Sequence, residues 1–344
     1  MKRNESLDWL RGILAFIIMI YHYTNWEYGS ANSIGFLSIL GIYGVSIFFA
    51  LSGLSMALVY NNHMNSISVS LKFYVRRLFR LLPLLWIGIF VVSWLHFNDF
   101  GYVDYQKIFL NLTLLFGFIS PDSYINVGAW SIGNECVYYA ITPIIFILFN
   151  RSIHLGNLAV LLSVLIGVWF GFNLLDSNQA LSEQWAIYIN PFNNIMFYML
   201  GVGLYFNFHH KTLPSIAKYL ILMPLLIFVF YPTNGNQISI VTGYQRFIFV
   251  GCAIMITLGA YKLNLTCNLN SFVSKSLTHL GEITYGIYLL HPILYVLSKR
   301  LYSTSSEFTI ITNVFLTIIV AHLVYRFYEK PIILLGKRLT DPAS

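Results

Sequence analysis

Long apolar runs, separated by short polar and basic stretches, organise this chain from end to end. Ten runs read as membrane-spanning helices: 10–27, 36–59, 81–97, 128–149, 156–174, 193–207, 217–231, 243–260, 283–299 and 308–326. A helix crossing the hydrocarbon core perpendicular to the bilayer needs roughly 20 residues. The runs at 193–207 and 217–231 fall short of that. The run at 108–119 is also short and reads as an interfacial or re-entrant piece. The pattern predicts an all-α polytopic membrane protein of about ten transmembrane helices. It forms a single domain over 1–344, and no soluble domain is expected at either end.

Charge orients the spans. With the N-terminus in the cytoplasm, 16 of the 20 Lys and Arg residues fall on the inner side. Lys107, Arg246, Lys299 and Arg300 fall outside. Basic residues concentrate in cytoplasmic loops, so both termini are expected inside. The first apolar run follows Lys2 and Arg3 but has no small-residue cleavage site after it. It therefore reads as a retained helix and not as a removed signal peptide.

Composition narrows the class further. Hydrophobic residues make up 57% and charged residues 10% of the 344 positions, where a soluble domain carries about 25% charged residues. The net charge of +7 sits in short loops and marks topology, and no basic run interleaved with aromatics suggests nucleic acid. Cys136, Cys252 and Cys267 are odd in number and lack a C-x-x-C spacing. That pattern argues against a disulfide framework or a cysteine metal site. The nine histidines show no metal-ligand spacing, and no metal is expected.

Polar side chains at membrane depth are costly and mark function by default. Arg11 and His22 are eleven residues apart, close to three helical turns, so they share a face about 16 Å apart along the axis. Arg11 also reads as a snorkelling anchor and His22 as an interfacial histidine. Glu135, in W-S-I-G-N-E from Trp130, lies about 10 Å into a helix entered from outside. It reads as a carboxylate paired with an imidazole or arginine, or as a structural hydrogen-bonding group. Arg77 and Arg80, in the basic loop around 76–83, would share a face on a helix. Two guanidiniums at the cytosolic membrane edge suit phosphates, such as those of a coenzyme A thioester. They also suit anionic lipid. His291, before Pro292, reads as structural.

Taken in order, these motifs resemble the acyltransferase-3 family of integral membrane acyltransferases. The opening L-D-W-L-R-G from Leu7 and the Arg11-x10-His22 spacing match it. So do G-V-S-I-F-F-A-L-S-G from Gly44 to Gly53, Arg77-x-x-Arg80 followed by Pro83, Trp130-Ser131 to Glu135, and Y-L-L-H-P from Tyr288. Leu54 and Ile132 depart from the usual Phe and Leu. The resemblance implies transfer of an acyl group, commonly acetyl from cytoplasmic acetyl-CoA, to a carbohydrate hydroxyl across a bacterial inner membrane. The acceptor would be a surface glycan such as O-antigen, capsule or exopolysaccharide, presented free or lipid-linked. In this reading Arg77, Arg80 and Arg11 hold the coenzyme A phosphates. His22 acts as general base or transient acyl carrier, and Glu135 orients it or stabilises its charged form. Some members carry a fused extracytoplasmic hydrolase-like domain. The chain length leaves no room for one here, so direct transfer or a separate partner is expected.

Two rival readings use the same features. A transporter or flippase for a lipid-linked sugar would use the same intramembrane polar groups for gating. A glycan polymerase would need a large basic outer loop, and the outer side here is poor in Lys and Arg.

Overall fold

The computed structural model describes residues 4–29, 35–61, 64, 66–233, 236–263, 271–301 and 304–341. Lys2, Arg3, His63 and Cys267 lie outside the described residues. The described residues are helical, with no strand among them. In chain order the main helices are α1 (Glu5–Tyr28), α2 (Phe36–Tyr60), α3 (Ile67–Phe100), α4 (Tyr105–Leu112), α5 (Ala129–Arg151), α6 (Ile153–Trp169), α7 (Pro191–Phe208), α8 (Tyr219–Phe230), α9 (Gly243–Leu263), α10 (Ser271–Glu282), α11 (Thr284–Leu301), α12 (Ser306–Val324) and α13 (Lys330–Thr340). A π-helical turn, Phe170–Leu174, extends α6, and a second, Tyr325–Glu329, joins α12 to α13.

Six helices among the described residues are long and apolar enough to cross a membrane: α2, α3, α5, α6 with its π turn, α9 and the continuous α12–α13. The broken pair α10–α11 makes seven if it forms one span. The remaining expected spans are helices too, but they do not reach this standard. α1 carries Glu5, Asp8 and Arg11 in its first two turns, α7 opens on Asn193 and Asn194, and α8 has 12 residues. A helix enclosed by other helices needs no apolar surface all round, so its polar positions lower its mean hydropathy without moving it out of the bundle.

Local chemistry explains several boundaries. The Ser66 side chain accepts a hydrogen bond from Val69 N at 3.3 Å and caps α3. Lys and Arg are good helix formers, so the basic segment expected as a loop is helical from Ile67, and Arg76, Arg77 and Arg80 lie on α3 itself. α3 ends at Gly101, whose left-handed conformation (φ 73°) closes the last turn. Asn190 caps α7 through Phe192 N at 2.9 Å, ahead of Pro191 at the first helical position.

Two compact units share the chain. The first comprises 1–61 and 144–284, the second 62–143 and 285–344. In the first unit α2 is the central helix, flanked by α1, α7 and α9, and 89% of its apolar window is buried. α10, which hydropathy alone passes over, packs along α1. Trp9 Nε1 donates to Thr278 Oγ1 at 2.9 Å. The two backbones approach so closely that a Cβ on Gly12 would lie 2.7 Å from Gly281 N. In the second unit α3 packs against α4 and α13. Tyr74 hydroxyl donates to the Ala140 carbonyl of α5 at 3.0 Å, and Asn126 Nδ2 donates to the Leu289 carbonyl of α11 at 2.9 Å.

The Gly12–Gly281 crossing yields a direct test. Gly281→Leu forces a side chain into the Asp8 backbone, whose carbonyl carbon would lie 2.8 Å from the new Cβ. Overpacking of this kind costs about 1–3 kcal/mol. The expected outcome is a lower thermal unfolding midpoint in detergent, read by fluorescence-detected size exclusion. An unchanged midpoint would show that α1 and α10 do not depend on this contact.

Candidate active site

The expected site residues divide between the two units. Arg11 and His22 belong to the first, and Arg77, Arg80 and Glu135 to the second.

In the first unit Arg11 is held by its neighbours. One guanidinium nitrogen pairs with Asp8 at 2.7 Å, one turn back on α1. The other donates to Ser55 Oγ on α2, and Ser55 Oγ in turn donates to the Leu51 carbonyl at 2.5 Å. The charge is therefore partly balanced within the bundle, and its direction is fixed. His22 lies on the same face of α1, eleven residues on, and is half-buried. Its ring stacks on Trp26 with centroids 5.3 Å apart and planes 13° from parallel. Tyr21 lies beside it at 5.4 Å, and the Tyr21 hydroxyl accepts a hydrogen bond from Gln237 Nε2 at 2.7 Å. The stacking fixes the ring plane of His22 while leaving the residue partly exposed, which suits a group that must meet a second reactant.

In the second unit two expected residues, Glu135 and Arg77, fall into one connected arrangement. Glu135 sits on α5, one turn before Tyr139, and accepts a hydrogen bond from the Tyr139 hydroxyl. The Tyr139 ring meets Phe73 of α3 edge-on at 5.7 Å. The Arg77 guanidinium lies 5.8 Å from the Tyr139 ring centroid and 5.9 Å from that of Phe73. Arg77 is thus oriented by two aromatic faces, one of which carries the hydroxyl that holds Glu135. α5 reaches this place because Gly133 admits the Phe116–Ile119 turn. A Cβ on Gly133 would sit 2.6 Å from the Phe116 ring.

Arg80 is one turn further along α3 and exposed. Two side chains for which spacing and motif suggest no role belong to the same unit: Tyr285, whose hydroxyl donates to the Leu81 carbonyl at 2.6 Å, and Glu329. Glu329 is 5% exposed. Sequence reasoning misses it because the last apolar run ends at 326, which places Glu329 in a cytoplasmic tail. The acidic residue just before Lys330-Pro331, within a run that stays helical to Thr340, is the available signal.

Other residues have structural roles. His291 is buried, and its Nδ1 hydrogen-bonds the Ile287 carbonyl at 2.9 Å. Arg246, expected as an outer topology signal, is not a loop residue. It lies in α9 and is 3% exposed. Cys136 is half-buried and Cys252 buried, both as free thiols. Among the described residues no three His, Cys, Asp or Glu side chains converge as metal ligands.

The chain matches the acyltransferase domain family over residues 4–326 and belongs to it. Among its described residues are several apolar helices long enough to span a membrane. It is 26% identical over 96% of its length to the peptidoglycan O-acetyltransferase OatA of Listeria monocytogenes (serovar 1/2a, EGD-e), covering 56% of that protein. It is 27% identical over 95% of its length to YrhL of Bacillus subtilis (strain 168), a candidate peptidoglycan O-acetyltransferase, covering 54% of it. A candidate acetyltransferase of Acidianus two-tailed virus, ORF330, is 24% identical over 82% of this chain and 80% of its own. The chain therefore spans about half the length of the two bacterial relatives. No solved structure matches it.

Proposed function

We propose that this chain is a multi-pass protein of a bacterial inner membrane that transfers acetyl from cytoplasmic acetyl-CoA to a hydroxyl of a surface glycan. The observation that carries the reading is the Arg77–Tyr139–Glu135 arrangement, with Arg80 one turn away, in a chain of this family. Its bacterial relatives are named for peptidoglycan O-acetylation, which makes peptidoglycan the first acceptor to assay, ahead of O-antigen, capsule or exopolysaccharide. The 16-to-4 division of basic residues supports ten spans with both termini inside.

Arg77 and Arg80 bind the phosphates of coenzyme A, since planar guanidiniums match phosphate oxygens bidentately. Arg11 of α1 is a further candidate ligand for coenzyme A phosphate. The acceptor hydroxyl attacks the thioester carbonyl, the carbon–sulfur bond breaks, and an ester and coenzyme A result. His22 takes the hydroxyl proton during attack and returns it to the departing thiolate. Glu135, held by the Tyr139 hydroxyl, orients the histidine or stabilises its charged form. No metal takes part in this scheme.

The test uses the full chain in proteoliposomes with labelled acetyl-CoA and glycan fragments. Each of Arg77→Ala and Arg80→Ala is expected to raise the KM for acetyl-CoA by about tenfold or more, because a hydrogen bond to a charged group contributes roughly 1.5–3 kcal/mol. Wild-type KM in both variants would remove these arginines from donor binding. Absence of both acetyl-CoA hydrolysis and label transfer by the wild-type chain would favour a transporter of lipid-linked sugar.

A further inference from the structure

We propose that Asn25 belongs to an acceptor subsite, where its side-chain oxygen accepts a hydrogen bond from a non-reacting donor group of the acceptor sugar while His22 takes the proton of the reacting hydroxyl. The inference rests on the reading of His22 as the base.

The first observation is position. Asn25 lies three residues after His22 and four after Tyr21 on α1. Residues three and four apart are neighbours on a helix surface, so Asn25 adjoins both. Trp26, one turn after His22, stacks on the histidine ring at 5.3 Å. Asn25 and Trp26 are half-buried, as His22 is. With the N-terminus inside, both lie about 5 Å nearer the outer face than His22, on the side from which a surface glycan arrives.

The second observation is the frame around them. The Tyr21 ring is fixed against α2, since a Cβ on Gly41 would overlap it. The Tyr21 hydroxyl accepts a hydrogen bond from Gln237 Nε2 at 2.7 Å. The same nitrogen makes a longer bond of 3.4 Å to Ser38 Oγ, one turn before Gly41 on α2. Tyr21 and Ser38 are buried. Polar side chains thus tie α1, α2 and the Gln237–Val241 turn together beside Asn25. Groups held in this way have little freedom left to lose when a ligand binds.

The third observation is an acceptor left over. Tyr21, Ser38 and Gln237 bond one another, but Asn25 Oδ1 is buried and lacks a hydrogen-bond partner among the described residues. Buried oxygens of this kind are few in native proteins, and each calls for a donor. A hydroxyl or acetamido N–H of the acceptor sugar supplies one, and the Trp26 ring offers apolar surface next to it. A few convergent polar groups beside an aromatic wall are the usual lining of a small-molecule site.

The test measures acceptor KM in the proteoliposome assay. Asn25→Leu keeps the branched shape and removes the oxygen. It is expected to raise the KM for glycan fragments by about five- to tenfold, the worth of one neutral hydrogen bond, and to leave the KM for acetyl-CoA within about twofold. Its detergent unfolding midpoint is expected to be no lower than wild type, because the oxygen makes no bond within the protein. Fragments that each lack one hydroxyl or the acetamido group then identify the donor. One of these deletions is expected to raise the wild-type KM by the same factor and to have no further effect in Asn25→Leu. An unchanged acceptor KM in Asn25→Leu, or penalties that multiply for every fragment, overturns the inference. A lowered midpoint with both KM values raised also overturns it, by assigning Asn25 to the fold. Full label transfer in His22→Ala overturns the reading of the base instead, so the two failures are distinguishable. If Asn25→Leu fails to yield a monodisperse protein, Asn25→Ala supplies the same fragment series and the same outcomes.

Discussion

Replacing His22 by alanine is expected to reduce acetyl transfer to glycan by at least about 100-fold, because a positioned general base contributes roughly 10²–10⁴-fold. Magnitude separates chemistry from folding here. His22 is half-buried, and its ring stacks on Trp26 at 5.3 Å. Losing one such ring pair costs about 0.5–1.5 kcal/mol, which a stable bundle tolerates. Protein level and detergent unfolding midpoint are therefore expected to stay near wild type while label transfer collapses. His22→Asn retains a polar side chain but no titratable nitrogen and is expected to be equally inactive. Binding of acetyl-CoA, measured by equilibrium dialysis, is expected to persist in both variants, since the donor phosphates are held by Arg77 and Arg80 in this scheme. Full label transfer in His22→Ala would remove the histidine from the reaction. Loss of donor binding together with transfer would move its role from chemistry to the donor site.

Much of the fold is legible from spacing. The apolar runs at 36–59 and 243–260 correspond to α2 and α9, because long uninterrupted hydrophobicity has few outcomes other than helix. The Arg11–His22 register needs only helical geometry. What spacing does not reveal is a partner on another helix. Asp8 is visible one turn before Arg11, but Ser55 on α2 is not. The Tyr139–Glu135 bond agrees with an i, i+4 spacing, yet the placing of Arg77 between Phe73 and Tyr139 depends on how α3 packs against α5. Amphipathic helices escape for a different reason. α10 mixes Ser, Lys, Thr and His with its apolar positions, so a hydropathy window averages it away. Glu329 escapes because a π turn adds a residue that breaks the 3.6-residue phase from which burial is inferred.

The largest loss of stability is expected from Arg246→Met. A buried cation is often a poor contributor, and replacing a whole ion pair by apolar groups can leave a protein no less stable. Arg246 differs because its partners cannot be replaced with it. Its guanidinium donates to the Asn193 carbonyl at 2.9 Å, to Asn193 Oδ1 at 2.7 Å and to the Val241 carbonyl at 3.3 Å. Two of these acceptors are backbone, and Asn193 itself is fully buried. The arginine thereby joins the start of α7 to the Gln237–Val241 turn ahead of α9. It also passes the π turn after α6 so closely that a Cβ on Gly171 would lie 2.9 Å from Arg246 Cδ. Methionine fills most of the volume but leaves buried acceptors without a donor, at about 1–3 kcal/mol for each. The lower end of that sum, about 3 kcal/mol, corresponds to a drop in the detergent unfolding midpoint on the order of 4 °C. Arg246→Lys, which keeps the charge but loses the planar fork, is expected to fall between the two. Gly171→Val is expected to lower the midpoint as well, by displacing the same side chain. If Arg246→Met melts with the wild type, the buried charge costs as much as its hydrogen bonds return, and these segments are held by apolar packing alone.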